Sequence, residues 1–372
     1  MRNKIKNLLA ILSIILVVIL SFNLTGCDKR PKLYILNWDE YIDEELVETF
    51  EEMYGCKIVY EVALSNETMY NRIATNTAPY DIVVPSDYMI SQFKEEGMLL
   101  EIDFSKLENY EVGMFDDKLE EYLSSDACVS YKNYAIPYFW GSLGIIYNTE
   151  NLNEDEVSKI EQFGWSVMFD PSILPNKKVG MYESSRDAIA IAELYKEMSV
   201  NTLDEAKIAE TENVLKQMNY SMWGTDDLKT SVVSGSLDYA MVYSGDFFDM
   251  LYSKYEESDE PEINFDFYTP NNNNVFFDGM VIPVTSRNTD LAYKFIDFMI
   301  EYENSLTNAS YVGYCPTITD VYEAILADPE FEGIADHPSY YPGDITHGEV
   351  YKYLGKNVYG QFDDIFTNVK SK

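Results

Sequence analysis

Asn37-Trp38-Asp39-Glu40-Tyr41 follows the apolar run Leu33-Tyr34-Ile35-Leu36 and leads into a helical pattern, and the joining of these pieces decides the fold. The run 33–36 is short enough for a buried strand. Asp43 stands as an N-cap, and Leu46, Val47, Phe50, Met53 and Tyr54 recur at helical spacing until Gly55. Strand, mixed tip and helix make the unit of an open α/β sheet, whose ligands sit outside the carboxyl ends of the strands. The tip offers Trp38 and Tyr41 as walls for an apolar body and Asp39 and Glu40 for charged ends, a mixture suited to a small organic cation. An aromatic-rich turn that merely caps the core would use the same residue types, because acids at helix starts are favoured by the helix dipole.

The chain of 372 residues opens on a basic stretch, Met1 to Lys6, and an apolar run from Leu8 to Leu20 broken by Ser13. That run is shorter than the roughly 20 residues that cross a bilayer, so it reads as a signal peptide over residues 1–26. Leu24-Thr25-Gly26-Cys27 resembles a lipobox, which makes Cys27 the expected acylated residue and places the mature protein outside the cytoplasm on a lipid anchor. Cleavage there leaves 346 residues, more than one core usually organises, so two lobes are expected. Losing the three basic residues of the leader takes the formal charge from −37 to −40. Nucleic acid is excluded as a partner by that sign, whereas small cations are drawn to it. Cys56, Cys128 and Cys315 are isolated and odd in number, which is no disulfide framework. With His337 and His347 the only histidines, no metal cluster and no cofactor is called for.

Strand and helix alternate further along. Lys57 to Tyr60 reads as a strand, Asn66 to Asn76 as a helix capped by Ser65, and Asp81 to Pro85 as a strand running into Ser86-Asp87-Tyr88. Tyr134 to Asn148 is a long apolar strand crossing between lobes, with Gly141 and Gly144 tolerating hinge torsions. A second alternation gives a strand at Lys178 to Met181, a helix from Arg186 to Met198, a capping box at Thr202 to Glu205, and a strand at Asp238 to Tyr243. Asn271 to Asn274 reads as a loop, Val275 to Pro283 as the return crossing, and Asp290 to Tyr302 as an amphipathic helix. The alternation predicts parallel sheets with right-handed crossovers. The expected division is 27–140 with 277–318 as one lobe and 141–276 with 319–372 as the other.

Collected from the strand tips, the aromatics are Trp38, Tyr41, Tyr88, Tyr243, Phe276 and Tyr314, and the acids are Asp39, Glu40, Asp87, Asp187, Asp246 and Asp278. A protonated linear amine needs a carboxylate at each ammonium and flat apolar walls for its methylenes. With the further landmarks Ser65-Asn66-Glu67-Thr68-Met69-Tyr70, Val83-Val84-Pro85-Ser86, Trp140-Gly141, Ser244-Gly245-Asp246 and Gly313-Tyr314, the whole mature sequence resembles the spermidine/putrescine-binding proteins of bacterial ABC importers. The resemblance implies a type II periplasmic-binding-protein fold, a polyamine trapped between closing lobes, an ABC permease as partner, a monomer, and no enzymatic activity. It implies aromatic walls at Trp38, Tyr243 and Phe276, a polar rim at Tyr41, Ser86, Tyr88 and Tyr314, and amino-group acids at Asp278 and Asp187, with Asp246 as in putrescine-type members. This chain departs from spermidine-type members at Ser184, where they carry an acid, and at a glutamine near the tail whose counterpart is Tyr351. Putrescine is therefore expected to bind at least as tightly as spermidine. Two rivals remain: a receptor for another small solute, such as iron or an amino acid, and a secreted carbohydrate-active hydrolase using paired carboxylates.

Overall fold

The computed structural model describes residues 30–76, 78–258 and 261–371; the leader and Cys27 lie outside the described residues. The strands are β1 (Lys32–Asn37), β2 (Lys57–Val62), β3 (Ile82–Val83), β4 (Ile136–Asn148), β5 (Val179–Tyr182), β6 (Met222–Gly224), β7 (Tyr239–Tyr243), β8 (Phe265–Tyr268), β9 (Asn272–Met280), β10 (Cys315–Pro316) and β11 (His347–Glu349). One sheet runs β2-β1-β3, all parallel, so the tips after Asn37 and after Val83 open on the same edge. The other runs β11-β9-β4-β7-β5-β6, with β8 and β10 also paired to β4. Antiparallel bridges Val83–Val281 and Ser86–Asp278 join the small sheet to the end of β9. The first half of β4 pairs with β10 and the end of β9, and its second half pairs with β7 and β8, so this strand serves both regions.

The opening unit forms as its sequence dictates. Asp43 accepts from the Glu45 amide at 2.8 Å to start the helix Glu44–Tyr54, and Gly55, at φ 60, ends it in the left-handed conformation. The helix Asn66–Ala74 begins at Ser65, whose Oγ accepts from the Thr68 amide at 3.1 Å.

Three expectations need correcting. Asn272, Asn273 and Asn274 belong to β9, and the last two are wholly buried. Their amides find backbone carbonyls in place of water: Asn273 donates to Leu143 at 2.6 Å and Asn274 to Glu349 at 3.0 Å. Pairing of this kind makes buried amides tolerable, although Asn274 Oδ1 has no hydrogen-bond partner among the described residues. Gly141 and Gly144 lie within an uninterrupted buried strand and leave room for neighbours, since a Cβ on Gly144 would stand 2.1 Å from the Phe267 ring and one on Gly141 2.9 Å from Phe276. The helix Glu205–Leu215 is capped by Asp204, which accepts from Ala206 at 3.0 Å and Lys207 at 3.3 Å; Thr202 stands before the cap.

Candidate ligand-binding site

The ends of β1, β3 and β9 bring the first group together. Asp278 accepts from the Tyr41 hydroxyl at 2.8 Å and from Ser86 Oγ at 2.7 Å. Tyr41 meets the Tyr314 ring edge-on at 5.2 Å. Glu40, at φ 48, turns the chain at the tip. Glu40 and Asp39 stand exposed, while Tyr41 is buried, so neither of these acids joins the buried carboxylates. Trp38 packs partly buried against the core; its Nε1 is buried and has no hydrogen-bond partner among the described residues.

The second group gathers at the ends of β5 and β7, where helices Ser185–Tyr195 and Ser244–Glu257 begin. Asp187 accepts from Tyr243 at 2.8 Å and from Tyr351 at 3.0 Å. Ser184 is the N-cap of the first helix, accepting from the Asp187 amide at 3.3 Å. The Tyr243 ring meets Phe276 at 5.1 Å and Tyr182 at 5.0 Å. Phe276 and Asp278 are two residues apart on β9 and so share a face. A continuous path therefore runs from Asp278 through Phe276 and Tyr243 to Asp187, with a carboxylate at each end and aromatic rings between. Asp246 lies 3.9 Å from Lys229 Nζ, which also pairs with Asp249 at 2.5 Å. The backbone of Gly245 is so close to Tyr314 that a Cβ there would stand 1.8 Å from a ring carbon. Asp87 is wholly buried beside Tyr88, whose hydroxyl donates to Glu67 at 3.1 Å.

Four aspartates, Asp87, Asp187, Asp246 and Asp278, are thus withdrawn from water, each at most 5 % exposed. Charged carboxylates are costly there without cations. Burial pushes Asp278 up to about 6, against hydrogen bonds from Ser86 and Tyr41 that lower it. Burial pushes Asp246 up to about 7 despite the nearby Lys229 ammonium. Asp187 is raised by burial even though Ser184, Tyr243, Tyr351 and Arg186 favour its anion, and burial holds Asp87 well above the carboxylate range. The Arg186 guanidinium lies 3.8 Å from the centre of the Tyr351 ring and donates to Asn201 at 3.3 Å, while its buried Nε and Nη1 have no hydrogen-bond partner among the described residues. Among the described residues, no group of three or more His, Cys, Asp or Glu could hold a metal ion, and no helix is long and apolar enough to cross a membrane.

Tyr182 escaped the sequence reading, as did the binding of Tyr351 to Asp187. The signal for Tyr182 was present, an aromatic at the end of a strand like Tyr243, whereas Tyr351 stands two residues past β11, a three-residue strand, His347-Gly348-Glu349, with no apolar run to announce it.

The family of bacterial extracellular solute-binding proteins matches residues 45–333. The chain belongs to that family. This solute-binding protein is 27% identical over 336 residues to the spermidine/putrescine-binding periplasmic protein of Escherichia coli K12, covering 89% of each chain. It is 28% identical over 302 residues to the putrescine/cadaverine-binding protein of Pseudomonas aeruginosa PAO1, covering 79% of this chain and 82% of that one. A solved structure described as a putative spermidine/putrescine ABC transporter from Listeria monocytogenes superposes with a TM-score of 0.77 at 31% identity, covering 91% of this chain and 98% of that one. The solute-binding protein therefore has the two-lobed type II periplasmic-binding-protein fold, but the parallel sheets expected from the alternation hold only in part: the three-stranded sheet is all parallel, whereas the larger one is mixed, with β4 antiparallel to β7, β8, β9 and β10.

Proposed function

We propose that the protein captures a linear polyamine of about putrescine length between its lobes, outside the cytoplasm, and delivers it to the permease of an ABC importer. It acts as a monomer and without turning its ligand over. The observation that carries this reading is the path from Asp278 through Phe276 and Tyr243 to Asp187, two desolvated anions joined by aromatic faces. An amine with an ammonium at each end would meet both carboxylates and lay its methylenes on the rings. The names of the relatives support it independently. In this reading Trp38, Tyr41, Ser86, Tyr88 and Tyr314 frame the ligand, and Asp246, its charge partly met by Lys229, is a third carboxylate of the site. The lobes comprise 27–140 with 277–318 and 141–276 with 319–372, and β4 and β9 cross between them. Calorimetric titration of the ligand-stripped protein with putrescine, cadaverine, spermidine and spermine, beside ferric iron, amino acids and glycosides, tests it. Saturable heat is expected from amines alone, with putrescine at least equal to spermidine; binding of iron, an amino acid or a sugar in their place would refute it.

The raised carboxyls set the pH dependence. An alkylammonium stays protonated below about pH 10, whereas binding requires the carboxylates ionised, and Asp278 and Asp246 titrate at about 6 and 7 in the free protein. Affinity should fall as pH is lowered from about 8 to about 5, by up to about tenfold per unit for each acid below its pKa, with protons released on binding. The same two groups stabilise the free fold fully only below the unfolded value of about 4, and that contribution is lost as pH rises through 6 to 7. The ligand-induced rise in Tm should therefore be larger at pH 8 than at pH 5. Equal shifts at both would contradict the assignment.

Closure has its own test. Gly245 and Tyr314 sit on opposite sides of the proposed division, so Gly245→Ala inserts a methyl where the lobes meet. Overpacking of this kind costs about 1–3 kcal/mol, which should appear as weaker amine binding with an unchanged circular-dichroism spectrum. Adding Tyr314→Phe, which keeps the ring, should give no relief, whereas a smaller residue at 314 removes the clash.

Anchoring through Cys27 is proposed on the leader pattern. A single acyl chain holds a protein only marginally, so the mature form should carry at least two. Cys27→Ser should abolish fatty-acid labelling; labelling that persists would end the proposal.

A further inference from the structure

Outside the carboxylate path, a groove of about 210 Å³ opens between the helices Asn66–Ala74 and Asp87–Glu95 on one side and the C-terminal helix Lys356–Lys370 on the other. Its walls are tyrosines in a stack: Tyr88 to Tyr359 at 6.0 Å and 22°, then Tyr359 to Tyr353 at 5.6 Å and 20°. Glu67 and Asp363 line it as carboxylates, the first held by the Tyr88 hydroxyl at 3.1 Å and the second by Ser185 at 2.8 Å. Lys356, the cation in the lining, is paired with Glu96 at 3.4 Å, so its charge is already met.

None of Asp187, Asp246 and Asp278 lines this groove. Tyr88 and Tyr351 stand between, their rings 6.2 Å apart, with Tyr351 donating to Asp187 on the inner side. Asp87, next in the chain to Tyr88, is wholly buried, and its Oδ2 has no hydrogen-bond partner among the described residues. Burial raises the Tyr359 hydroxyl, Arg186 offsets part of that, and Glu67 raises it again, so the Glu67 carboxylate is felt at this wall. Tyrosine faces flanked by carboxylates suit an alkylammonium chain, whose methylenes lie on the rings while its nitrogen is drawn to the ring face and the anion.

We propose that this groove is a second subsite, which takes the outer aminoalkyl arm of a triamine or tetramine whose first two ammonium groups occupy the inner site. The inference rests on the polyamine reading of that inner site. Contacts in the groove offset the cost of leaving a third ammonium without an acid at Ser184, which is occupied as a helix cap, so the longer amine gains no net advantage over putrescine.

The test is calorimetry on the full mature chain, stripped of amine, with putrescine and spermine as probes against the wild type, Asp363→Asn, Tyr353→Ala and the double variant. Each single change should weaken spermine about two- to fivefold, as expected for an exposed ion pair or cation–aromatic contact. The double variant should lose about tenfold, while putrescine binding stays as in the wild type. A loss of spermine affinity under twofold in the double variant, or an equal loss for putrescine, overturns the proposal. Wild-type protein that binds no putrescine is a different result: it removes the inner-site reading and the proposal with it.

Discussion

Asp278→Asn is expected to weaken putrescine binding by well over tenfold. Asp278 is buried, and Tyr41 at 2.8 Å and Ser86 at 2.7 Å fix its two oxygens, so the carboxylate cannot swing away and its charge is met only by a ligand or by a proton. Removing one member of a buried charge pair costs about 2–5 kcal/mol, and each 1.4 kcal/mol is about one decade in affinity. Asparagine keeps the size and one acceptor oxygen, so the fold should survive, which an unchanged Tm of the ligand-free protein at pH 5 would establish. Calorimetry showing near-native affinity in this variant would place the ammonium elsewhere.

Asp187→Asn should have an effect of the same size through the other end of the path. Tyr243 donates to one oxygen of Asp187 and Tyr351 to the other, so in the amide one hydroxyl keeps its acceptor and the other turns to accept from the NH2 group while the charge is lost. Putrescine, with two ammonium groups, should suffer in both variants, whereas n-butylamine, with one, should suffer in only one of them. Equal losses of butylamine in Asp187→Asn and Asp278→Asn would show that the two carboxylates do not hold separate ends. Because one ligand couples the two sites, the double variant need not lose the sum of the single effects.

Much of the architecture was legible in the chain. Asp43, Ser65 and Gly55 mark helix ends by local chemistry, and local chemistry is what a sequence displays. Asn272 to Asn274 read as a loop because amides in a row look solvated; their partners, the carbonyls of Leu143 and Glu349, are distant in sequence. Gly141 and Gly144 suggested torsional freedom, yet what requires them is the closeness of Phe276 and Phe267, another long-range fact. In the site, Tyr41, Ser86 and Asp278 were visible as strand tips, and the structure brings them within hydrogen-bonding distance. Asp39 and Glu40, chosen by the same rule, are exposed, because a left-handed residue at Glu40 turns the chain there. Tip position alone does not say which side chains point inward.

A crystal structure of the protein with putrescine would show whether one amine spans Asp278 and Asp187. One nitrogen should lie about 2.7–2.9 Å from an oxygen of each carboxylate, with the four methylenes between Phe276 and Tyr243. A ligand with neither nitrogen at these aspartates, or one seated only among Tyr88, Tyr353 and Tyr359, would show that Asp278 and Asp187 do not hold the two ends of one amine.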